Sequence, residues 1–123
     1  MDFKKLLAYQ KALDLAMQIF EISKSFPKEE VYSLTDQIRR SSRSVNANIS
    51  EAYRKRRYPK YFISKLTDSD GENSETNTLL DFALACSYIS KEQHLDLSNQ
   101  GIEVGKLINY MINNSGKFGV KTE

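Results

Sequence analysis

Pro27 and Pro59 are the only prolines in 123 residues, and glycine occurs five times. Proline cannot continue a helical hydrogen-bond ladder, and glycine is what many turns require. A chain poor in both has few places to reverse direction. A small number of long helices is therefore favoured over a many-stranded sheet. The length fits one domain, enough to bury roughly two-thirds of the surface that the unfolded chain exposes.

Apolar periodicity supports this. Leu6, Tyr9, Leu13, Met17 and Phe20 recur at steps of three and four, joined by Ala12, Ala16 and Ile19, which predicts an amphipathic helix ended by Pro27. A second helix opens near Ser33, where Ser33 and Asp36 resemble a capping box. Its stripe is Leu34, Ile38, Val45, Ile49 and Ala52, and it stops before Pro59. In the third segment, Tyr61, Phe62, Ile63 and Leu66 start a helical pattern that Leu79, Leu80, Phe82, Ala83, Cys86 and Ile89 resume. The intervening TDSDGENSETNT has no large apolar residue and, on its residues alone, reads as a loop. A loop of that length is uncommon inside a compact domain. A fourth helix starts at the capping box Ser90–Gln93 and carries Leu95, Ile102, Gly105, Ile108 and Ile112. Residues 114–123 have no periodicity and are expected to form a flexible tail. The whole predicts an all-α, antiparallel up-down-up-down four-helix bundle over residues 1–113, with helices near 5–25, 33–57, 59–89 and 91–113.

Charge is unevenly placed. From Gln37 to Lys65 stand nine Arg and Lys against one acid, Glu51, a balance of +8 in a chain of formal net charge +2. Asp68, Asp70, Glu72, Glu75 and Asp81 follow with no basic residue among them. At about 100° per residue, Arg39, Arg43, Asn46, Ser50, Arg54 and Arg57 share one face of the second helix, opposite its apolar stripe. Straight through Arg57, that face spans about 27 Å. Arg40, Lys55, Arg56 and Lys60 flank it. One reading is an ordinary solvated face. The other is a docking face for an anionic partner, because arginine suits bidentate contact with phosphate or carboxylate and few acids stand one turn away. That partner is nucleic acid or an acidic protein surface, the Asp68–Asp81 stretch of another copy included. Glu51 is expected to pair with Lys55 or Arg54.

Residues with other chemistry are few. His94 is the single histidine and cannot build a histidine-rich metal site. Cys86 is the single cysteine, is expected to be packed on an apolar face, and has no charged sequence neighbour to activate it. DSDGENSE lacks the ligand rhythm of a calcium loop. Asn48 and Glu51, one turn apart, are expected to be structural polar residues satisfied by a neighbouring helix. No phosphate-binding glycine loop or nucleophile elbow is present, so no enzyme, cofactor or metal is expected. No apolar run approaches the ~20 residues that span a bilayer. The N-terminus lacks a signal-peptide pattern and the lone cysteine suits a reducing compartment, so a cytoplasmic protein is expected.

In combination, several stretches resemble the family of small bacterial four-helix-bundle proteins named after the 23S rRNA intervening sequence. Phe26, Pro27 and Glu30 match its F-P-x-x-E; Leu34, Gln37, Ile38, Arg39 and Arg40 match L-x-x-Q-I-R-R; Ser44, Asn48, Ile49 and Glu51 match S-x-P-x-N-I-x-E-G. Ala8 to Ala12 resemble V-W-Q-K-A, and Gly71, Glu75, Thr78 and Leu80 fit G-S-x-x-E-x-x-T-x-L. Asn46 stands where the family often has Pro, Ala52 where it has Gly, and Glu72 where it has Ser. The resemblance implies that the third segment is helical throughout, TDSDGENSETNT included, and that its polar middle faces other polar groups. It also implies a homo-oligomer, a ring of five subunits. One related branch, the accessory proteins of diversity-generating retroelements, binds nucleic acid and docks on a reverse transcriptase. The expected function is therefore a non-enzymatic, nucleic-acid-binding accessory protein. RNA or DNA would contact Arg39, Arg40, Arg43, Arg54, Lys55, Arg56, Arg57 and Lys60, and a reverse transcriptase is a candidate partner. The alternative is a structural or protein-interaction ring.

Overall fold

The computed structural model describes residues 2–120. Four helices carry the fold: α1 (Leu7–Ser23), α2 (Leu34–Arg54), α3 (Pro59–Ala85) and α4 (Lys91–Asn113). Short 3-10 helices occur at Phe3–Lys5, Lys28–Glu30 and Ser115–Phe118, and no strand occurs among the described residues. Each helix packs on the next and α4 packs back on α1, which closes an antiparallel four-helix bundle. Ile19, Ile38, Ile49, Phe62, Leu80 and Ile108 lie fully buried at its centre.

The buried stripes are narrower than the apolar patterns in the sequence. On α1 the core takes Ala8, Ala12, Leu15, Ala16 and Ile19, whereas Leu13 and Met17 are exposed. Three alanines let α1 lie close to its neighbours, and the longer side chains one step around the helix are left outside. On α4 the core takes Leu97, Gly101, Val104, Ile108 and Met111; Leu95 and Ile102 are exposed. Cys86, expected to be packed, is also exposed, because α3 has ended by then.

Helix ends show which local signals operate. Ser33 makes no side-chain cap. The carboxylate of Glu30 takes that role instead, accepting the Leu34 amide at 3.3 Å. Its other oxygen accepts the Tyr88 hydroxyl at 2.8 Å, and that bond holds the Tyr88 phenol well above its ordinary ionisation range. Tyr88 also packs on Phe26, with ring centroids 5.5 Å apart. Tyr88 reaches this position because Ser87 adopts the left-handed region, φ 63°. The Tyr88 amide then donates to the Ala83 carbonyl at 2.8 Å and the Ser87 amide to Leu84 at 2.9 Å. This is the Schellman closure of a helix, with serine where glycine is usual. The capping box at Ser90 forms as its sequence predicts, the Gln93 amide donating to Ser90 Oγ and the Ser90 amide to Gln93 Oε1.

The stretch 67–78, a loop on its residues alone, is helix without interruption, as the family resemblance implies. Its polar side chains have partners across the bundle. Ser69 Oγ donates to the Val45 carbonyl at 2.8 Å. Thr76 Oγ1 meets Ser41 Oγ at 2.8 Å. Asn73 Nδ2 donates to the Gly101 carbonyl at 2.8 Å. Ser69, Asn73 and Thr76 are all buried, and Thr76 and Asn73 lie beside the buried Ser41 and Ser42 of α2. The bundle thus has a polar waist between apolar ends. Gly101 marks the closest approach of α4 to α3: a Cβ there would run into the side-chain amide of Asn77, which would have to move.

Residues 115–120, within the expected flexible tail, carry local structure. Ser115–Phe118 forms a 3-10 helix, Gly119 turns at φ 88°, and Val120 is buried. The Val120 amide donates to Ser115 at 3.3 Å, and Phe118 packs edge-on against Tyr110. One turn closed by two apolar anchors needs no helical period, so periodicity could not reveal it. Residues 121–123 of that tail lie outside the described residues.

Gly71 is exposed, helical, and has no atom within 4 Å of where a Cβ would sit. Gly71→Ala is expected to stabilise the protein by about 0.5–1 kcal/mol, read as a raised urea midpoint. A lowered midpoint would contradict a continuous α3.

Candidate nucleic-acid interface

The structure divides the predicted basic residues into three groups. Arg39, Arg40, Arg43 and Arg54 lie on α2; Lys55, Arg56 and Arg57 lie in the turn after it; Lys60 lies in the first turn of α3. The helix ends at Arg54, three residues short of expectation. The turn closes there because the Lys55 amide binds both Glu51 and Ala52 carbonyls, while Pro59 starts α3 with Tyr58 extended before it. The straight face from Arg39 to Arg54 is about 22 Å long, and Arg57 lies beyond it on the turn.

Arg39 and Arg43 share one aromatic platform. Their guanidinium carbons stand 4.8 and 5.7 Å from the centroid of Phe20 on α1. Arg39 Nε also donates to Ser23 Oγ at 2.8 Å. With Val31, Thr35, Asp36, Arg40, Ser44 and Ala47 they line a concavity of about 480 Å³. This platform is not visible in the sequence, because Phe20 belongs to another helix and its place beside α2 follows from packing.

Arg40 lines the same concavity on its α3 side. It pairs with Glu75 at 2.6 Å and Glu72 at 3.3 Å on α3. Hydrogen bonding to Glu75 and the charge of Glu72 raise its pKa further. The acidic run of α3 is largely engaged within the chain: Asp68 pairs with Lys65, Asp81 with His94 and Asp70 with Asn109. Glu51 pairs with Lys65 at 3.6 Å rather than with Lys55 or Arg54, because Lys65 comes across from α3. Asn48 donates to the Ser44 carbonyl of its own helix rather than to a neighbouring one. Asn46, assigned to the basic face, is buried and donates to the Tyr9 carbonyl of α1 at 3.0 Å. The face turns inward there because its edge toward α1 is covered.

At the far end, Arg54, Arg56 and Arg57 surround a concavity of about 490 Å³ that Gly119 walls on one side. Arg56 is held in place: Nη1 donates to the Tyr53 carbonyl at 2.8 Å and the guanidinium stacks 4.1 Å over the Tyr53 ring. Lys55 lies over Tyr61. Among the described residues no carboxylate lies in ion-pair distance of Arg39, Arg43, Arg54, Lys55, Arg56, Arg57 or Lys60. The described residues also hold no cluster of His, Cys, Asp and Glu able to bind a metal, and no helix long and apolar enough to cross a membrane.

The family model for the 23S rRNA-intervening sequence protein matches residues 4–110, nearly the whole bundle. The chain belongs to this family. A crystal structure of a protein of unknown function from the S23 ribosomal protein family of Bacteroides thetaiotaomicron VPI-5482 is similar to it, at 30% identity and a TM-score of 0.79, covering 88% of this chain and 96% of that one. No curated protein matches. Within this intervening-sequence fold, the matched residues Phe26 and Glu30 join α2 to the end of α3, and the matched Arg40 clamps α2 to the middle of α3.

The arginines therefore differ in what removal should do. Arg39→Ala loses the Ser23 bond and the Phe20 stack, and is expected to cost about 1 kcal/mol in urea denaturation. Arg43→Ala and Arg54→Ala should each stay within about 0.5 kcal/mol of the parent.

Proposed function

We propose that this intervening-sequence family protein is a non-enzymatic, oligomeric nucleic-acid-binding accessory protein acting in the cytoplasm, and that RNA or DNA lies along the outer face of α2 and its following turn. The observation that carries the reading is the contrast among its cations. Arg40 and Lys65 are engaged by carboxylates, whereas no carboxylate among the described residues engages Arg39, Arg43, Arg54, Arg56 or Arg57. Arginines left without acids on a surface favour phosphate, and such contacts position a backbone without reading bases. Arg39, Arg43, Arg54 and Arg57 form the core of the face, with Lys55, Arg56 and Lys60 beside it.

A homo-oligomer, a cyclic pentamer, would repeat the face once per subunit and let weak contacts add as avidity. Leu13 and Met17 on α1 and Leu95 and Ile102 on α4 are exposed apolar side chains on separate helices, and contact between unlike surfaces of successive subunits closes rings. A reverse transcriptase is the protein partner suggested by the resemblance to retroelement accessory proteins. The same exposed apolar residues favour the second reading, a structural or protein-interaction ring in which the arginines serve contacts between subunits.

Fluorescence anisotropy with labelled RNA and duplex DNA, as salt is raised, tests the reading. The logarithm of the affinity should fall linearly with that of salt, by about 0.9 per phosphate neutralised on duplex DNA, with little sequence preference. Arg43→Ala with Arg54→Ala should weaken binding and flatten the slope while light scattering still gives the parent mass. Absence of binding at low salt, or a double variant that falls to monomers, would favour the interaction ring.

A further inference from the structure

The turn after α2 differs from the rest of the basic surface in shape. Arg54, Arg56 and Arg57 converge on one concavity of about 490 Å³, a volume within the range of small-ligand sites. Part of this charge has a simple structural reason, since cations complement the negative end of a helix dipole, and Arg56 closes the Tyr53 carbonyl. Arg54 stands in the last turn of α2, where the dipole favours it, and Arg57 lies past the helix end over the Tyr58 ring, 5.9 Å from its centroid; among the described residues neither makes an ion pair with a carboxylate. Arg56 is fixed from two sides, by the Tyr53 carbonyl and ring and by the C-terminal turn. A Cβ on Gly119 would stand 3.2 Å from Arg56 Nε and 3.4 Å from its Cδ, and Gly119 itself needs φ 88°. The wall of the concavity is thus a backbone turn that only glycine makes easily and that leaves room for the guanidinium.

We propose that this cradle binds a terminal phosphomonoester, the 5′-phosphate of a nucleic-acid strand, in addition to the internal phosphates that run along α2. The inference rests on the nucleic-acid reading above and adds to it the recognition of a strand end. A terminal phosphate carries close to two negative charges near neutrality and presents three acceptor oxygens. An internal phosphodiester carries one charge, has two free oxygens, and is flanked by sugars on both sides. Three guanidiniums around a concave site match the first, because planar forks bind oxygen pairs and a concavity admits a chain end better than a continuing strand. The open α2 face suits the second.

Anisotropy competition between short oligonucleotides identical except for a 5′-phosphate or a 5′-hydroxyl reads the difference directly. Inorganic phosphate and pyrophosphate serve as competitors without a strand. The 5′-phosphate should tighten binding about tenfold at low salt, and the gain should fade as pH falls through about 6, where the phosphate loses its second charge. Arg54→Gln with Arg57→Gln should weaken both oligonucleotides and bring the ratio of their affinities to one. Arg43→Gln should weaken both oligonucleotides alike and leave their ratio unchanged. Equal binding of both oligonucleotides to the parent protein would overturn the strand-end site while leaving the nucleic-acid reading standing. If neither oligonucleotide binds at low salt, both readings fall. If inorganic phosphate alone competes as well as the phosphorylated strand, the site takes the free anion and the strand-end assignment is overturned.

Discussion

Everything in this bundle depends on finding partners for the polar middle of α3. A helix that carries Ser69, Asn73 and Thr76 into a protein interior is costly unless each group is hydrogen-bonded, at roughly 1–3 kcal/mol for each one left bare. The solution fixes the neighbours. Ser69 and Thr76 require α2 at a set depth and rotation, so that the Val45 carbonyl and Ser41 hydroxyl meet them. Asn73 requires α4 close enough to offer the Gly101 carbonyl, and the Asn77 side chain occupies the space left by the missing Cβ there. The satisfaction is incomplete, since Asn46 Oδ1 and Asn77 Oδ1 are buried with no hydrogen-bond partner among the described residues.

The charged surface follows from the same register. With α2 and α3 locked through the waist, Arg40 comes opposite Glu72 and Glu75, and Lys65 opposite Glu51. These exposed pairs add little stability individually. Their larger effect is to sort the cations: those facing α3 are neutralised, and those facing α1, outward or the turn are not. The electrostatic asymmetry of the surface is thus a by-product of which helix face the waist turns toward which neighbour.

Much of this was legible in the sequence, and the misses have physical reasons. The helix count and the Ser90 box could be read directly, because proline and capping act locally. The middle of α3 could not, because Gly, Asn, Ser, Asp and Thr favour turns only while their side chains lack partners elsewhere, and here the partners lie on other helices. Ser33 looked like a cap, but Glu30 outcompeted it from outside the usual box. The arginine face was located, yet helical-wheel arithmetic could not foresee that Asn46 is covered by α1, that Arg39 and Arg43 share Phe20, or that Gly119 closes on Arg56. All three depend on contacts between segments far apart in the chain.

The waist also constrains how the family can drift. Ser41 and Thr76 answer each other side chain to side chain, so a change at one removes the cross-helix partner of the other, and the two positions should vary together. Ser69 and Asn73 address backbone carbonyls, which every residue supplies. Position 45 is therefore free to exchange among residues of suitable bulk without reference to position 69. Position 101 is tied to position 77, since a side chain there would take the space of the Asn77 amide. One layer of the protein thus holds a pair coupled by a hydrogen bond, an unlinked site and a pair coupled by volume.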